Sequence, residues 1–133
     1  MNYFLDTNIC IYFLKGTYSG ILKKIRNLEP QFIKIPSIVK AELLFGAEKS
    51  KNRLENIKKV NLFIEPYEVV GFNDEAAISY SIIRSALELK GKSIGPNDLI
   101  IASTVLANNG VLITNNEKEF KNVKNLKIEN WTN

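Results

Sequence analysis

The sequence predicts an α/β fold in which a central parallel five-stranded sheet is covered by helices on both faces. Three observations carry this. Short apolar runs such as Tyr3-Phe4-Leu5 and Val111-Leu112-Ile113 lack polar alternation, as strands buried on both faces do. They alternate along the chain with segments whose apolar residues recur at helical spacing. No internal repeat, low-complexity tract or linker interrupts the alternation, so residues 1–133 read as one domain.

Tyr3–Leu5 is the first strand. Thr7 is placed to cap a helix through Ile9-Cys10-Ile11-Tyr12-Phe13-Leu14, and Gly16 to end it. A second helix, from about Ile21 to Leu28, carries Ile21, Leu22, Ile25 and Leu28 on helical spacing. Phe32–Ile35 is the second strand. Pro36-Ser37 opens a helix through Ile38, Ala41, Leu44 and Phe45, and another runs from Asn52 to Phe63. Tyr67–Val70 is the third strand. Asn73-Asp74-Glu75 starts a long helix through Ile78, Ile82, Ile83, Ala86 and Leu89 that ends near Gly91. Pro96 sits where a first helical residue favours proline, and that helix reaches about Asn109-Gly110. Val111–Ile113 is the fourth strand, Glu117 to Phe120 makes one helical turn, and Leu126–Ile128 is the last strand.

Composition narrows the chemistry. An apolar content of 45% supports a real core, and 24% charged residues argue against disorder. The single cysteine, Cys10, allows no internal disulfide, and its place among Ile9, Ile11 and Phe13 reads as packing. The start lacks a basic stretch ahead of a long apolar run, so it does not read as a signal peptide. No apolar run approaches the ~20 residues needed to cross a bilayer. The expected setting is the cytoplasm. The chain has no histidine, which excludes Ser-His-Asp, Cys-His and histidine-based nuclease chemistry. One cysteine without histidine leaves no structural zinc site. Any catalysis must come from carboxylates and a metal, or from Lys and Tyr.

Three acids stand beside apolar runs: Asp6 after Tyr3-Phe4-Leu5, Glu42 in Ala41-Glu42-Leu43, and Asp98 before Leu99-Ile100-Ile101-Ala102. Asp6 would serve as a helix cap, but Thr7 is also a capable one and leaves Asp6 free for another role. Asp98 lies in a first helical turn, where the helix dipole favours an acid by ~0.3–1 kcal/mol, so its position alone is accounted for structurally. Glu42 is four residues after Ile38 and three before Phe45, beside the apolar stripe. Together the three say more. Two carboxylates ~4 Å apart repel by ~4 kcal/mol at an effective dielectric of ~20, so three in one crevice require a cation. Mg²⁺ or Mn²⁺ suits all-oxygen ligation, and its waters supply a nucleophile and a docking point for a phosphate oxygen.

In doubly wound sheets, sites collect at the carboxyl ends of strands near the reversal of strand order. Asp6 ends the first strand and Thr114-Asn115-Asn116 ends the fourth, so these segments share a crevice if the two strands are neighbours. Asn116 brings no charge, and Glu119 is close enough in sequence to turn inward. Net charge is +4, from 18 basic and 14 acidic residues. With Asp6, Glu42 and Asp98 sequestered, 18 basic residues face 11 acids, a balance of +7 that attracts a polyanion. Tyr12, Lys15, Arg84, Lys90 and Lys92 are candidates to contact phosphates, although each is also accounted for as an ordinary surface or half-buried side chain.

With these residues in place, the chain resembles the PIN-domain ribonucleases, and within them the VapC toxins of type II toxin–antitoxin modules. The matching segments are Leu5 to Tyr12, Ala41 to Ala47, Gly91 to Ala102, Leu112 to Asn116 with Glu119-Phe120, and Ile128 to Trp131, in order over nearly the whole chain. The resemblance implies a PIN-like three-layer fold, usually a homodimer. It implies Asp6 and Asp98 as the principal Mg²⁺ ligands, with Glu42 acting directly or through water, and Thr7 and Thr114 lining the pocket. Asn116 stands where many PIN domains have a fourth acid, so the number of metals stays open and Glu119 is the acid available to stand in. The implied activity is endonucleolytic cleavage of RNA, commonly tRNA at the anticodon loop, by in-line attack of a metal-activated water. The implied partner is a small VapB-like antitoxin that blocks the acidic pocket.

Two other doubly wound phosphate enzymes fit less well. A receiver domain needs an Asp at the end of the third strand, where Val70-Gly71-Phe72 stands, and a haloacid-dehalogenase-like site needs an acid where Asn8 stands. A catalytically inactive RNA- or protein-binding module remains the alternative from a different class.

Overall fold

The computed structural model describes residues 1–132; the last residue of the expected 1–133 domain lies outside them. The elements are β1 (Tyr3–Leu5), α1 (Thr7–Lys15), α2 (Ser19–Asn27), a 3₁₀ turn (Pro30–Phe32), β2 (Ile33–Pro36), α3 (Ser37–Glu48), α4 (Arg53–Ile64), β3 (Glu68–Val70), α5 (Asp74–Leu89), α6 (Pro96–Ala107), β4 (Val111–Ile113), α7 (Glu117–Phe120) and β5 (Lys127–Glu129). The five strands form one sheet in the order β3-β2-β1-β4-β5, and every neighbouring pair is parallel.

This order places β1 at the centre. The chain lays β2 and β3 on one side of it, then crosses to place β4 and β5 on the other. The reversal therefore falls between β1 and β4, where Leu5 pairs with Ile113. The central strands are buried: Phe4, Leu5, Leu112 and Ile113 are all at most 1% exposed. That burial on both faces is why these strands are apolar without alternation.

Helix α6 is the most enclosed helix. Leu99, Ile101, Ala102, Ser103, Thr104 and Val105 are all buried. A helix this apolar around its circumference belongs inside. Its two buried hydroxyls are satisfied locally: Ser103 donates to Leu99 O at 2.6 Å and Thr104 to Ile100 O at 2.9 Å. Pro96 occupies the first turn, as expected. The helix stops at Ala107, short of Asn109-Gly110, because Asn109 takes a left-handed conformation (φ 52°). Gly16 ends α1 at φ 68° and donates to Phe13 O at 3.1 Å, as anticipated.

Two helix faces differ from the sequence reading. In α3 the buried stripe is Val39, Leu43 and Ala47, while Ala41 is exposed and Phe45 is 64% exposed. In α5 the buried residues are Ala76, Ile83 and Leu87, while Ile78, Ile82 and Leu89 are exposed. Both helices carry two apolar stripes. α5 packs against α6, and its buried stripe is the one that starts with the small residue Ala76. The second strand starts one residue later than expected, with Phe32 in the 3₁₀ turn; α1 and α2 each begin two residues earlier and β5 one later. No helix among the described residues is long and apolar enough to cross a membrane.

Gly110 enters β4 against the core, and a Cβ there would overlap the Phe4 ring and lie 3.2 Å from Asn2 O. Phe4 is 1% exposed, so the ring has little room to move. We expect Gly110→Ala to destabilise the fold by about 1–3 kcal/mol, read by urea-induced unfolding.

Candidate active site

The site is built where β1 and β4 end. Asp6 N donates to Ile113 O at 3.1 Å, carrying the sheet ladder one step past β1. Asp6 then keeps an extended backbone (ψ 173°) and becomes the N-cap of α1, its Oδ1 accepting from Ile9 N at 2.9 Å. This corrects the capping role assigned to Thr7 from sequence. Thr7 is already the first helical residue, and its hydroxyl donates instead to Glu42 Oε1 at 2.6 Å. The physical reason is strand length: β1 stops at Leu5, so the last non-helical residue is the aspartate. The cap bond engages Oδ1, at the point where the carboxylate enters the crevice.

Asp6 is 6% exposed. Burial pushes its carboxyl up to about 6, from 3.8. Hydrogen bonds from the Thr114 side chain and the Ile9 amide pull it down, and the charges of Asp98 and Glu42 push it up. Asp98, half-buried in the first turn of α6, is also raised, by burial first and then by Glu119 and Glu42. Asp6, Glu42 and Asp98 thus lie within electrostatic reach of one another, and Glu119 joins them through Asp98. Thr114, fully buried just past β4, accepts from Asn116 N at 2.9 Å. Asn116 in turn donates from Nδ2 to Glu119 Oε2 at 2.9 Å. Glu119 is therefore turned inward and half-buried rather than displayed in the charged Glu117-Lys118 stretch.

Glu42 is held by both oxygens. Thr7 takes Oε1, and Asn97 Nδ2 donates to Oε2 at 3.1 Å. Sequence reasoning passed over Asn97; its only signal is its place between Pro96 and Asp98 in a first helical turn. Of the basic and aromatic candidates, Lys15 lines a groove of about 620 Å³ that also includes Glu42, Leu14 and Leu62. Arg84 is engaged elsewhere, with Nε donating to Glu88 at 3.0 Å and Nη1 to the Tyr80 hydroxyl at 3.1 Å. Tyr12 packs edge-on against Tyr18, and Lys90 and Lys92 are exposed.

The donor chemistry of this crevice is oxygen only. Cys10 is completely buried and its thiol is pushed well above the ordinary range, so it stays protonated. Among the described residues, no three acids are drawn together tightly enough to form a ready-made cation cage. The acids nonetheless fit a hard divalent cation that keeps part of its water shell, because Asp6 and Asp98 are destabilised as anions and a cation reverses that.

The PIN domain family model matches residues 3–126. Ribonuclease VapC2 of Rickettsia felis is 42% identical over 132 residues, covering 98% of both chains. The tRNA(fMet)-specific endonuclease VapC of Salmonella typhimurium is 37% identical over 131 residues, again covering 98% of both. A chain in the crystal structure of VapBC2 from Rickettsia felis bound to a DNA fragment from its promoter superposes with a TM-score of 0.92 at 41% identity, covering 98% of this chain and 99% of that one.

The raised Asp6 carboxyl has a thermodynamic signature. The folded chain holds this proton more tightly than the unfolded chain, so the metal-free protein loses stability as pH rises from about 3.8 to about 6. The full effect is about 3 kcal/mol. Asp6→Asn keeps a capping oxygen without the charge. It should therefore be more stable than the parent at pH 7 by up to that amount and indistinguishable from it near pH 3.5, as read by denaturant unfolding at the two pH values in EDTA.

Proposed function

We propose that this chain, which belongs to the PIN-domain family, is a VapC-type endoribonuclease and the toxin of a type II toxin–antitoxin module. The observation that carries the reading is the crevice at the reversal point of the sheet, where a buried aspartate feels the charges of Glu42 from α3 and Asp98 from α6, and Asp98 in turn feels Glu119 from α7. Full-length similarity to VapC ribonucleases supports it. The reading treats residues 1–133 as a single PIN domain in the cytoplasm, working as a homodimer.

Nucleases of this family depend on a divalent metal, and here the ion is taken as Mg²⁺, with Mn²⁺ able to replace it. Asp6 and Asp98 are its principal ligands, and Glu42 contributes directly or through water. When bound, the cation supplies an acidified water and stabilises charge developing on the scissile phosphate. The chain's own residues do the rest. The Ile9 amide and the Thr114 side chain fix the Asp6 carboxylate at the strand end. Asn116 restrains Glu119 beside Asp98, so the segment that lacks a fourth aspartate still delivers a fourth acid. No side chain is required as a nucleophile, in keeping with a chain that has no histidine. The remaining surface is basic once the site acids are set aside, which favours an RNA backbone.

The substrate is RNA, with a tRNA anticodon loop as the proposed target; the Salmonella relative is named for tRNA(fMet). The partner is a VapB-like antitoxin, since structural relatives are solved as VapBC complexes. The apolar groove that reaches Glu42 gives such a partner a surface beside the acids.

Asp6→Asn and Asp98→Asn should each lower RNA cleavage at least about 100-fold while the protein stays folded, and EDTA should abolish cleavage by the parent. Gel assays on a labelled tRNA, with circular dichroism as the folding control, decide this; an Asp98→Asn protein cutting at the parental rate refutes the assignment. Expression should arrest growth, and co-expression of the adjacent small gene should relieve the arrest, scored by colony counts.

A further inference from the structure

We infer that Asn97 is a positioning residue for Glu42, holding that carboxylate at the site edge without neutralising it. The inference rests on the reading of Asp6, Glu42 and Asp98 as the acids of a metal-dependent centre. Glu42 belongs to α3, yet both its oxygens are held by other elements: Oε1 by Thr7, 35 residues away on α1, and Oε2 by Asn97, 55 residues away on α6. A glutamate on a half-exposed helix face ordinarily samples several rotamers; two donors from two directions select one. Both donors are uncharged. None of the ion pairs among the described residues involves Glu42, so its charge stays available to the crevice. A carboxylate offers about four lone-pair positions, and two remain open after these bonds.

Asn97 is exposed, but its amide is turned onto Glu42 rather than left in water. It directly precedes Asp98. The bond therefore also sets the spacing between the first turn of α6, which carries Asp98, and the turn of α3, which carries Glu42. A lysine or arginine at this position would orient Glu42 equally well and cancel its charge; a carboxamide orients it only.

The test uses the full chain, stripped of metal, with Mn²⁺ as the probe in isothermal titration calorimetry. Asn97→Ala should weaken Mn²⁺ binding about tenfold, as removal of a residue that orients a metal-site carboxylate does. In a Glu42→Ala background the same substitution should cost less than about twofold, because the group it positions is gone. Asn97→Leu, which restores side-chain bulk without a donor, should behave as Asn97→Ala does. A readout independent of metal is the Asn97 side-chain amide resonance, which should move in Glu42→Ala. Mn²⁺ binding that is unchanged or tighter in Asn97→Ala, an equal loss with Glu42 absent, or an unmoved amide resonance overturns the inference. If the parent binds Mn²⁺ and Asp98→Asn abolishes binding while Asn97→Ala does not affect it, the positioning role alone fails. If the parent binds none, the metal-site reading falls and takes the inference with it.

Discussion

A carboxylate buried at the end of the central strand is the constraint on which the rest of the molecule depends. Two hydrogen bonds to Asp6 do not offset its desolvation, since the carboxyl still stands at about 6. The surrounding architecture is arranged around that cost. β1 is central, so its end is enclosed by neighbours on both sides. α1 begins at Asp6 and presents an amide to it. β4 ends one residue before Thr114, so the hydroxyl from the adjacent strand arrives at the same height. A neutral residue at position 6 would serve the fold at less cost, which is the physical reason to regard the aspartate as retained for chemistry.

The charges are sorted accordingly. Acids in the crevice are held by neutral groups: a backbone amide, two threonines and two asparagines. Cations are paired elsewhere, in Lys34–Glu68, Arg53–Glu48, Lys59–Glu55 and Arg84–Glu88. Exposed pairs of this kind stabilise little, ~0–1 kcal/mol each. Their value here is negative space: the molecule carries net +4, yet the mouth of the central strands stays anionic. The crevice thus gathers negative charge within a chain that is basic as a whole.

The sheet was legible because its strands are short, apolar and uninterrupted; β4 and α7 fall on their anticipated residues. The neighbour relation of β1 and β4 was anticipated only conditionally, because strand order is a tertiary fact with no local trace. The exchange of roles between Asp6 and Thr7 escaped for a related reason: both are good caps, and the choice depends on where the sheet ladder stops. In α3 and α5, periodicity marked apolar residues but not which stripe meets a neighbour, so Phe45, Ile78 and Ile82 were misplaced. The three principal acids stood out by their position beside core-forming runs. Asn97 did not, since nothing in its local sequence tells that a glutamate 55 residues earlier is its partner.

Cys10 lies one turn beyond Asp6, completely enclosed and protonated. Alkylating reagents attack thiolates in contact with solvent, so the native chain is inert to them. Because this is the sole sulfhydryl in the sequence, any modification counts molecules in which the first helix has opened, locally or with the whole fold. The protein thus carries its own label for any opening that exposes the segment bearing the buried aspartate, and comparing labelling rates with the rate of global unfolding separates local from global exposure.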